Sequence, residues 1–222
     1  MLDRYPDDFR ATGLDPDLLS TPFRIQTNWH VITGASCSGK TTLIDQLAGK
    51  GFQTVPEVGR QYFESEMAKG RTNDEIREDP VALQHGIIDM QLRIEGGLQS
   101  SDVIFLDRAF PDVLAFCRIL GLNPNEVLLQ CFRRRYASVF ILDRFPYRQD
   151  GVRAADDPTA DFLDEWIARD YRALGYGVVR VPLMPPDERL AFVLERLSLS
   201  PAGGGGDPAR RTQRGNCPPS AR

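Results

Sequence analysis

The stretch Gly34-Ala35-Ser36-Cys37-Ser38-Gly39-Lys40-Thr41 decides the fold of this 222-residue chain. It fits the pattern G-x-x-x-x-G-K-[ST], in which glycines let successive backbone N–H groups converge on a phosphate. The β-branched run His30-Val31-Ile32-Thr33 precedes it, and Leu43, Ile44 and Leu47 follow it at helical spacing. A strand before the pattern and a helix after it favour a phosphate-binding loop over a glycine-rich turn that matches by chance.

The loop also predicts how a nucleotide is held. The N-terminus of the following helix adds its partial positive charge to the backbone donors. We expect Lys40 to reach the β- and γ-phosphates and the Thr41 hydroxyl to bind Mg²⁺. The predicted nucleotide contacts are Gly34, Ala35, Ser36, Cys37, Ser38, Gly39, Lys40, Thr41 and Thr42.

The lysines narrow the class of nucleotide-binding protein. Only Lys40, Lys50 and Lys69 are lysines among the 27 basic residues. A guanine-specific GTPase of the Ras or translation-factor kind needs an N-K-x-D element, but Lys50 and Lys69 each precede a glycine. The sequence therefore argues against a Ras-like GTPase and favours ATP, with GTP left open as a ligand.

Short apolar runs alternate with longer stretches that carry helix-start signals. Four of the five runs are apolar on both faces or nearly so, which is typical of strands buried in a parallel sheet. Asp79-Pro80, Asp157-Pro158 and Pro186 mark helix starts between or after them. The predicted strands are His30–Thr33, Phe52–Val55, Val103–Leu106, Val139–Leu142 and Gly177–Val181.

This alternation predicts an α/β domain in three layers, with helices on both faces of a parallel sheet. The domain is expected over residues 28–198. Residues 1–27, rich in Asp and Pro, are expected to form an irregular N-terminal extension. Residues 199–222, rich in Gly, Pro and Arg, are expected to be a disordered tail because they carry almost no large apolar side chain.

Charged residues follow the second and third predicted strands. Ligands of open parallel sheets bind beyond the carboxyl ends of the strands, so Glu57, Asp107 and the phosphate loop are expected to converge on one crevice. Glu57 could take a proton from an acceptor hydroxyl while Arg60 holds the acceptor. Arg108, directly after Asp107, could hold an anionic substrate or the transferring phosphoryl group. The alternatives are a helix cap for Glu57, a surface position for Arg60 and a strand-capping ion pair for Asp107 and Arg108.

The fourth predicted strand is followed by a long loop with three arginines and a glycine over residues 143–153. Long loops in compact domains are often lids. Arg148 and Arg153 are therefore candidates for clamping the phosphates on closure. The alternative is an exposed loop with ordinary surface arginines.

Composition excludes several other classes. The 27 basic and 31 acidic residues leave a net charge of -4, so no nucleic-acid partner is expected. The four cysteines are widely spaced, which suggests a reduced cytoplasmic chain. No apolar run is long enough for a membrane helix, which needs about 18 residues.

Five segments together resemble a known family: GASCSGKTTL, VPEVGR, FLDRAFPDVLAF, RQDGVR and YRALGYGVVRVP. They are similar to the P-loop AAA-family ATPase/kinase domains that include the nicotinamide riboside kinase domain of NadR and animal phototransduction-linked ATPases. The resemblance implies a five-stranded sheet ordered 2-3-1-4-5 with the phosphate loop after the first, central strand.

A more distant similarity extends to deoxyribonucleoside and thymidylate kinases. It implies acceptor binding by Glu57, Mg²⁺ contacts by Asp107 and a phosphate clamp by the loop arginines. Together with the residues above, it predicts transfer of the ATP γ-phosphoryl group to a small hydroxylated, nucleoside-like acceptor near Glu57 and Arg60. The alternative is a nucleotide-gated regulatory protein with slow hydrolysis.

Overall fold

Parallel strands form the central sheet of the computed structural model, which describes residues 13–144 and 158–199. Within those residues, the strands of the chain are β1 (Ile25–Gln26), β2 (Trp29–Thr33), β3 (Gln53–Val55), β4 (Ile104–Asp107), β5 (Arg134–Arg135), β6 (Ser138–Leu142) and β7 (Val178–Val181). The five-stranded sheet has the order β3-β4-β2-β6-β7, and β1 pairs with β5 in a separate parallel pair. Counted within the central sheet, this order is 2-3-1-4-5, so the implied topology is confirmed.

Helices fill the connections between these strands. Their bounds among the described residues are α1 (Pro16–Leu19), α2 (Lys40–Gly49), α3 (Val58–Ala68), α4 (Asn73–Arg77), α5 (Pro80–Gly97), α6 (Asp112–Ile119), α7 (Asn125–Leu128), α8 (Pro158–Ala173) and α9 (Pro186–Leu197), with a 3₁₀ turn over Leu129–Arg133. Asp79 caps α5 as predicted, since its carboxylate accepts hydrogen bonds from the Val81 and Ala82 N–H groups at 3.1 and 2.9 Å. Pro80 then occupies the first helical position, where no N–H is needed.

The sheet carries helices on both faces, because neighbouring residues of its strands point to opposite sides. Val31 and Leu106 pack with Tyr171 of α8 on one face. Ile32 and Phe105 pack with α2 and α9 on the other. All five residues of β2 are buried, as a central strand of a doubly covered sheet requires. The predicted three-layer α/β architecture is therefore confirmed.

The register places the ends of the strands at one edge. Ile32 of β2 pairs with Asp107 at the end of β4, and Thr33 pairs with Ile141 of β6. The phosphate-loop sequence leaves β2 at this edge, so Asp107 and the loop lie beside each other. Within residues 13–144 and 158–199, no helix has both the length and the apolar character needed to span a bilayer.

Candidate active site

The phosphate-loop sequence forms a tight turn between β2 and α2. Gly34 has φ of +132°, and a Cβ at this position would lie 2.7 Å from the carbonyl oxygen of Leu142. Gly39 has φ of +87° and stands at the N-cap of α2. Both conformations suit glycine and strain other residues. The glycines of the pattern are therefore needed where the loop passes β6 and where it enters the helix.

Lys40 is folded back over the loop. Its Nζ donates hydrogen bonds to the Ala35 carbonyl oxygen at 2.8 Å and to Ser38 Oγ at 3.5 Å. Burial lowers the pKa of Lys40 to about 8, and Arg108 adds to this effect, while Asp107 opposes it. The ammonium group is thus held over the loop by uncharged carbonyl and hydroxyl acceptors. A phosphate oxygen would be a stronger acceptor than either of them.

Asp107 and Thr41 fit the requirements of a magnesium ion. The Asp107 side chain is 3% exposed, and its Oδ1 has no hydrogen-bond partner among the described residues. Burial raises the pKa of Asp107 to about 6, against the effect of Lys40. Thr41 lines the loop cavity. Mg²⁺ is usually held by one or two protein oxygens with waters and phosphates, so an unpaired carboxylate oxygen and a hydroxyl beside a phosphate loop suit it.

Arg108 is fixed in an unusual backbone conformation. Its φ is +67°, in the left-handed region, and its N–H donates to the Ile32 carbonyl oxygen at 3.0 Å. Its Nε donates to Glu57 Oε1 at 3.3 Å and its Nη1 to Asp112 Oδ1 at 3.1 Å. Such strained residues cluster at functional sites, where the surroundings hold them in place. Among the described residues, the ion pairs of Arg108 run to Glu57 and Asp112 rather than to its neighbour Asp107.

Asp112 forms an ion pair with Arg108 and was missed by the sequence prediction. Its Oδ1 accepts from Thr33 Oγ1 as well as from Arg108, and its Oδ2 accepts from the Ala109 N–H at 3.2 Å and the Tyr171 hydroxyl at 2.7 Å. Asp112 is 2% exposed. Arg108 lies four residues before Asp112 but outside α6, so the helical i,i+4 rule gave no signal for this pair. The other two side chains come from β2 and α8, which only the fold brings together.

Glu57 and Arg60 lie at the start of α3. Glu57 occupies the N-cap position, but its carboxylate caps no helical N–H and instead accepts from Arg108. Arg60, one turn into the helix, is exposed and lines the neighbouring cavities. The structure therefore brings the predicted pair to the predicted edge of the sheet, next to Arg108.

Two cavities meet at these residues. The first, about 350 Å³, is lined by the phosphate loop from Ser36 to Thr42 together with Glu57, Arg60 and Arg108. The second, about 320 Å³, shares those same three side chains. Its other walls were not predicted and are apolar or amide-bearing apart from the Asp112 carboxylate: Val58, Gly59, Phe63, Gln84, Ile87, Gln91, Ala109, Asp112, Val113 and Phe116.

The predicted lid arginines, Arg148 and Arg153, lie outside the described residues. A further arginine that the sequence prediction missed is Arg189 of α9, which is 3% exposed and donates to the Ser38 carbonyl oxygen. Arg189 thereby connects α9 to the phosphate loop. A buried arginine in the first turn of a helix has no local signal, because an exposed one looks the same in sequence.

Comparisons with known proteins agree with this architecture. The sequence model of the family described as AAA domain matches residues 29–189, more than half of the chain. No curated protein matches the sequence.

Solved structures show similarity at low sequence identity. A NadR protein in complex with NR is 19% identical, over 81% of this chain and 54% of its own, with a TM-score of 0.55. A NadR protein in complex with NAD and AMP-PNP is 20% identical, over 78% of this chain and 50% of its own, with a TM-score of 0.52. Deoxyadenosine kinase from M. mycoides, solved with the products dCMP and a flexible dCDP, is 12% identical over 77% of this chain and 98% of its own, with a TM-score of 0.54. The chain spans about half the length of the NadR chains, and these likenesses show that it shares the fold of these proteins.

Proposed function

We propose that this chain, which belongs to the AAA domain family, binds ATP and transfers its γ-phosphoryl group to a small hydroxylated, nucleoside-like acceptor. One observation carries the proposal: the phosphate-loop cavity and a second cavity share Glu57, Arg60 and Arg108. A triphosphate in the first and an alcohol in the second would meet at a carboxylate flanked by arginines. Phosphoryl transfer depends mainly on such positioning and on electrostatic stabilisation.

The phosphate loop supplies the donor site. The backbone N–H groups from Ala35 to Thr42 would bind the β- and γ-phosphates, and Lys40 would leave the Ala35 carbonyl to bind the same oxygens. Thr41 and Asp107 would hold Mg²⁺, which neutralises charge on the phosphates when bound. ATP is the proposed nucleotide, and GTP is the alternative to be compared with it.

The transfer step follows from the positions of Glu57 and Arg108. The acceptor oxygen would attack the γ-phosphorus, its proton would pass to a Glu57 carboxylate oxygen, and the bond from phosphorus to the bridging oxygen would break to release ADP. Arg108 would stabilise the negative charge that develops on the transferring group. The 3.3 Å contact between Arg108 Nε and Glu57 Oε1, at the junction of the cavities, supports these two roles.

The second cavity suits a flat, partly apolar acceptor. Phe63 and Phe116 offer aromatic surfaces, Ile87 and Val113 offer aliphatic ones, and the charged groups lie at the end shared with the phosphate loop. A nucleoside has this distribution, with a ring at one end and hydroxyls at the other. Two structural neighbours, a NadR protein bound to NR and a deoxyadenosine kinase bound to dCMP, support the same choice of acceptor.

The test is ADP production from Mg·ATP in the presence of a panel of ribonucleosides, deoxyribonucleosides, nicotinamide riboside and simple sugar alcohols. We expect at least one acceptor to raise the rate and to appear as a phosphate monoester. Glu57→Gln is expected to lower that rate about 10²–10⁴-fold, the usual contribution of a general base. Glu64→Gln, an exposed carboxylate on the same helix, is the matched control and is expected to keep the rate.

Nucleotide binding is measured separately. Lys40→Ala is expected to lose Mg·ATP affinity or turnover, whereas Lys50→Ala, an exposed lysine at the end of α2, is expected to keep both. If ADP production is the same with every acceptor and Glu57→Gln leaves it unchanged, the kinase proposal is wrong and a nucleotide-gated binding protein takes its place. If Lys40→Ala binds and turns over ATP like the parent chain, the nucleotide site itself is wrong.

A further inference from the structure

We infer that the acceptor carries a hydrogen-bond donor, an N–H group on its ring, because the second cavity presents to it the fixed carbonyl oxygen of Gln91. This inference rests on the proposed function and names the chemical class of the acceptor more closely. It starts from a buried network at the inner end of α5 that the proposed transfer step does not use.

Glu95 is the centre of this network. It is 3% exposed, and its Oε1 accepts a hydrogen bond from Gln91 Nε2 at 2.8 Å. The Tyr136 hydroxyl lies 3.0 Å from both Glu95 oxygens and itself accepts from the Phe110 N–H at 3.3 Å. The phenolic hydrogen is thereby directed to Glu95, so the carboxylate is an acceptor on every side that the described residues reach.

This network sets the orientation of the Gln91 amide. A carboxylate oxygen accepts and cannot donate, so it requires the NH₂ end of the neighbouring amide. Burial raises the pKa of Glu95, but a proton placed on Oε2 would still leave Oε1 to accept. With Glu95 ionised or protonated on Oε2, the Gln91 nitrogen is turned toward Oε1 and the Gln91 carbonyl oxygen is turned away from it.

The carbonyl oxygen of Gln91 is the group available to the ligand. Gln91 lines the second cavity, is 5% exposed, and its Oε1 accepts no hydrogen bond from the described residues. A buried acceptor left without a donor costs about as much as a lost hydrogen bond. A ligand that fills the cavity without an N–H group at this point would bear that cost.

Gln84 provides the contrast. It lies two turns earlier on α5, lines the same cavity and is also 5% exposed. Its amide has no hydrogen bond to another described residue, so it can turn either end toward a ligand. Gln91, and not Gln84, therefore determines that the ligand must offer a hydrogen-bond donor at this point of the cavity.

The experiment compares matched nucleosides that differ in one amino group: adenosine with purine riboside, and cytidine with 2-pyrimidinone riboside. The measured quantity is kcat/KM for phosphorylation by the full chain, and the ring that gives the higher value is used for the comparison. We expect the amino-bearing member to be preferred about tenfold, the effect of one unsatisfied buried acceptor. A ratio near one in the parent chain overturns the inference without any variant.

Two variants separate the network from general damage to the cavity. Gln91→Met keeps the length of the side chain and removes the carbonyl oxygen, so the preference is expected to fall to about twofold or less. Glu95→Gln lets the Gln91 amide turn over, because a new amide can donate to it, and is expected to weaken the preference as well. Gln99→Met, an exposed glutamine just beyond α5, is the control and is expected to keep it.

The failures are distinguishable. If no acceptor of any kind is phosphorylated, the proposed function is wrong and this inference falls with it. If alcohols are phosphorylated but neither nucleoside pair is, or if Gln91→Met keeps the full preference, the inference alone is wrong.

Discussion

Asp112 offers a demanding test of how the site is held together. Its two carboxylate oxygens each accept two donors: Thr33 and Arg108 on Oδ1, Ala109 and Tyr171 on Oδ2. Asp112→Asn keeps the shape of the side chain but replaces one oxygen with an NH₂ group. Whichever way the new amide turns, its NH₂ faces two donors and cannot accept from them.

The expected size of this effect follows from those contacts. The substitution leaves two donors without an acceptor and removes the more buried of the two carboxylates paired with Arg108, whose side chain is 10% exposed. Breaking a buried ion pair from one side costs about 3–5 kcal/mol. Tyr171→Phe removes one donor and leaves the carboxylate with three, so it is expected to cost about 1.5–3 kcal/mol, the value of a hydrogen bond to a charged group.

The assay is equilibrium unfolding in urea for the parent chain, Asp112→Asn and Tyr171→Phe. Tyr176→Phe is the comparison variant without a charged partner, because the Tyr176 hydroxyl donates to the neutral Arg134 carbonyl oxygen at 3.4 Å and accepts from the Tyr136 N–H at 3.3 Å. We expect the loss of unfolding free energy to follow the order Asp112→Asn, Tyr171→Phe, Tyr176→Phe. A stable Asp112→Asn variant, within about 1 kcal/mol of the parent chain, would refute the role of this carboxylate as the anchor of Arg108.

Three further predictions concern His30 in β2, Gly34 directly after β2, and the buried pair of Arg118 and Asp170. Burial lowers the pKa of His30 to about 4, so the unfolded chain binds more protons than the folded chain between pH 6.5 and 4. Acidification across this range is therefore expected to cost up to about 3 kcal/mol of stability. In urea unfolding at a series of pH values, His30→Leu should flatten this part of the dependence of stability on pH. Gly34→Ala is expected to lose about 2–3 kcal/mol and ATP affinity, because φ of +132° strains any residue with a Cβ; unchanged thermal unfolding and calorimetric titration would contradict this. Arg118 and Asp170 form a buried ion pair at 2.5 Å, so Arg118→Met is expected to cost about 3–5 kcal/mol of unfolding free energy in urea. The double variant that adds Asp170→Leu is expected to regain most of this loss. A double variant no more stable than Arg118→Met alone would contradict the pairing.

Much of the fold was predictable because its signals are local. The glycine pattern, the β-branched runs and the Asp-Pro helix start at Asp79 each depend on a few neighbouring residues. The paired strands β1 and β5 could not be predicted, because they depend on residues far apart in the sequence. Arg134 and Arg135 have no apolar pattern, and they are extended because distant backbone groups at Ile25 and Gln26 pair with them.

The site divides in the same way. Glu57, Asp107 and Arg108 could be predicted together because parallel strands end at one edge of a sheet. Thr33 and Tyr171 could not, because their contacts with Asp112 depend on how β2, α6 and α8 come together. These contacts position Asp112 and do not involve the residues of the phosphate loop. The loop motif therefore does not predict them.

The amides of α5 lie between these two cases. Gln84, Ile88, Gln91 and Glu95 are separated by four, three and four residues, which is the period of a buried helix face. Polar residues at such positions are costly unless they are paired or face a ligand. This pattern was therefore a readable sign of a polar site inside the fold, although it could not tell which of the amides would be paired.

The charges around Lys40 suit a ligand that brings its own cation. The groups that influence the Lys40 ammonium are one further cation, Arg108, and three carboxylates, Asp107, Glu57 and Asp112. Asp112 is fully committed to its four donors, and Glu57 is bonded to Arg108. Asp107 alone keeps a buried oxygen without a partner among the described residues. A triphosphate without a metal would meet that carboxylate as a repulsive charge, whereas a magnesium-bound triphosphate places a divalent cation where the unpaired oxygen needs one. The electrostatic arrangement therefore supports the proposed binding of a magnesium-bound nucleotide at the glycine-rich loop.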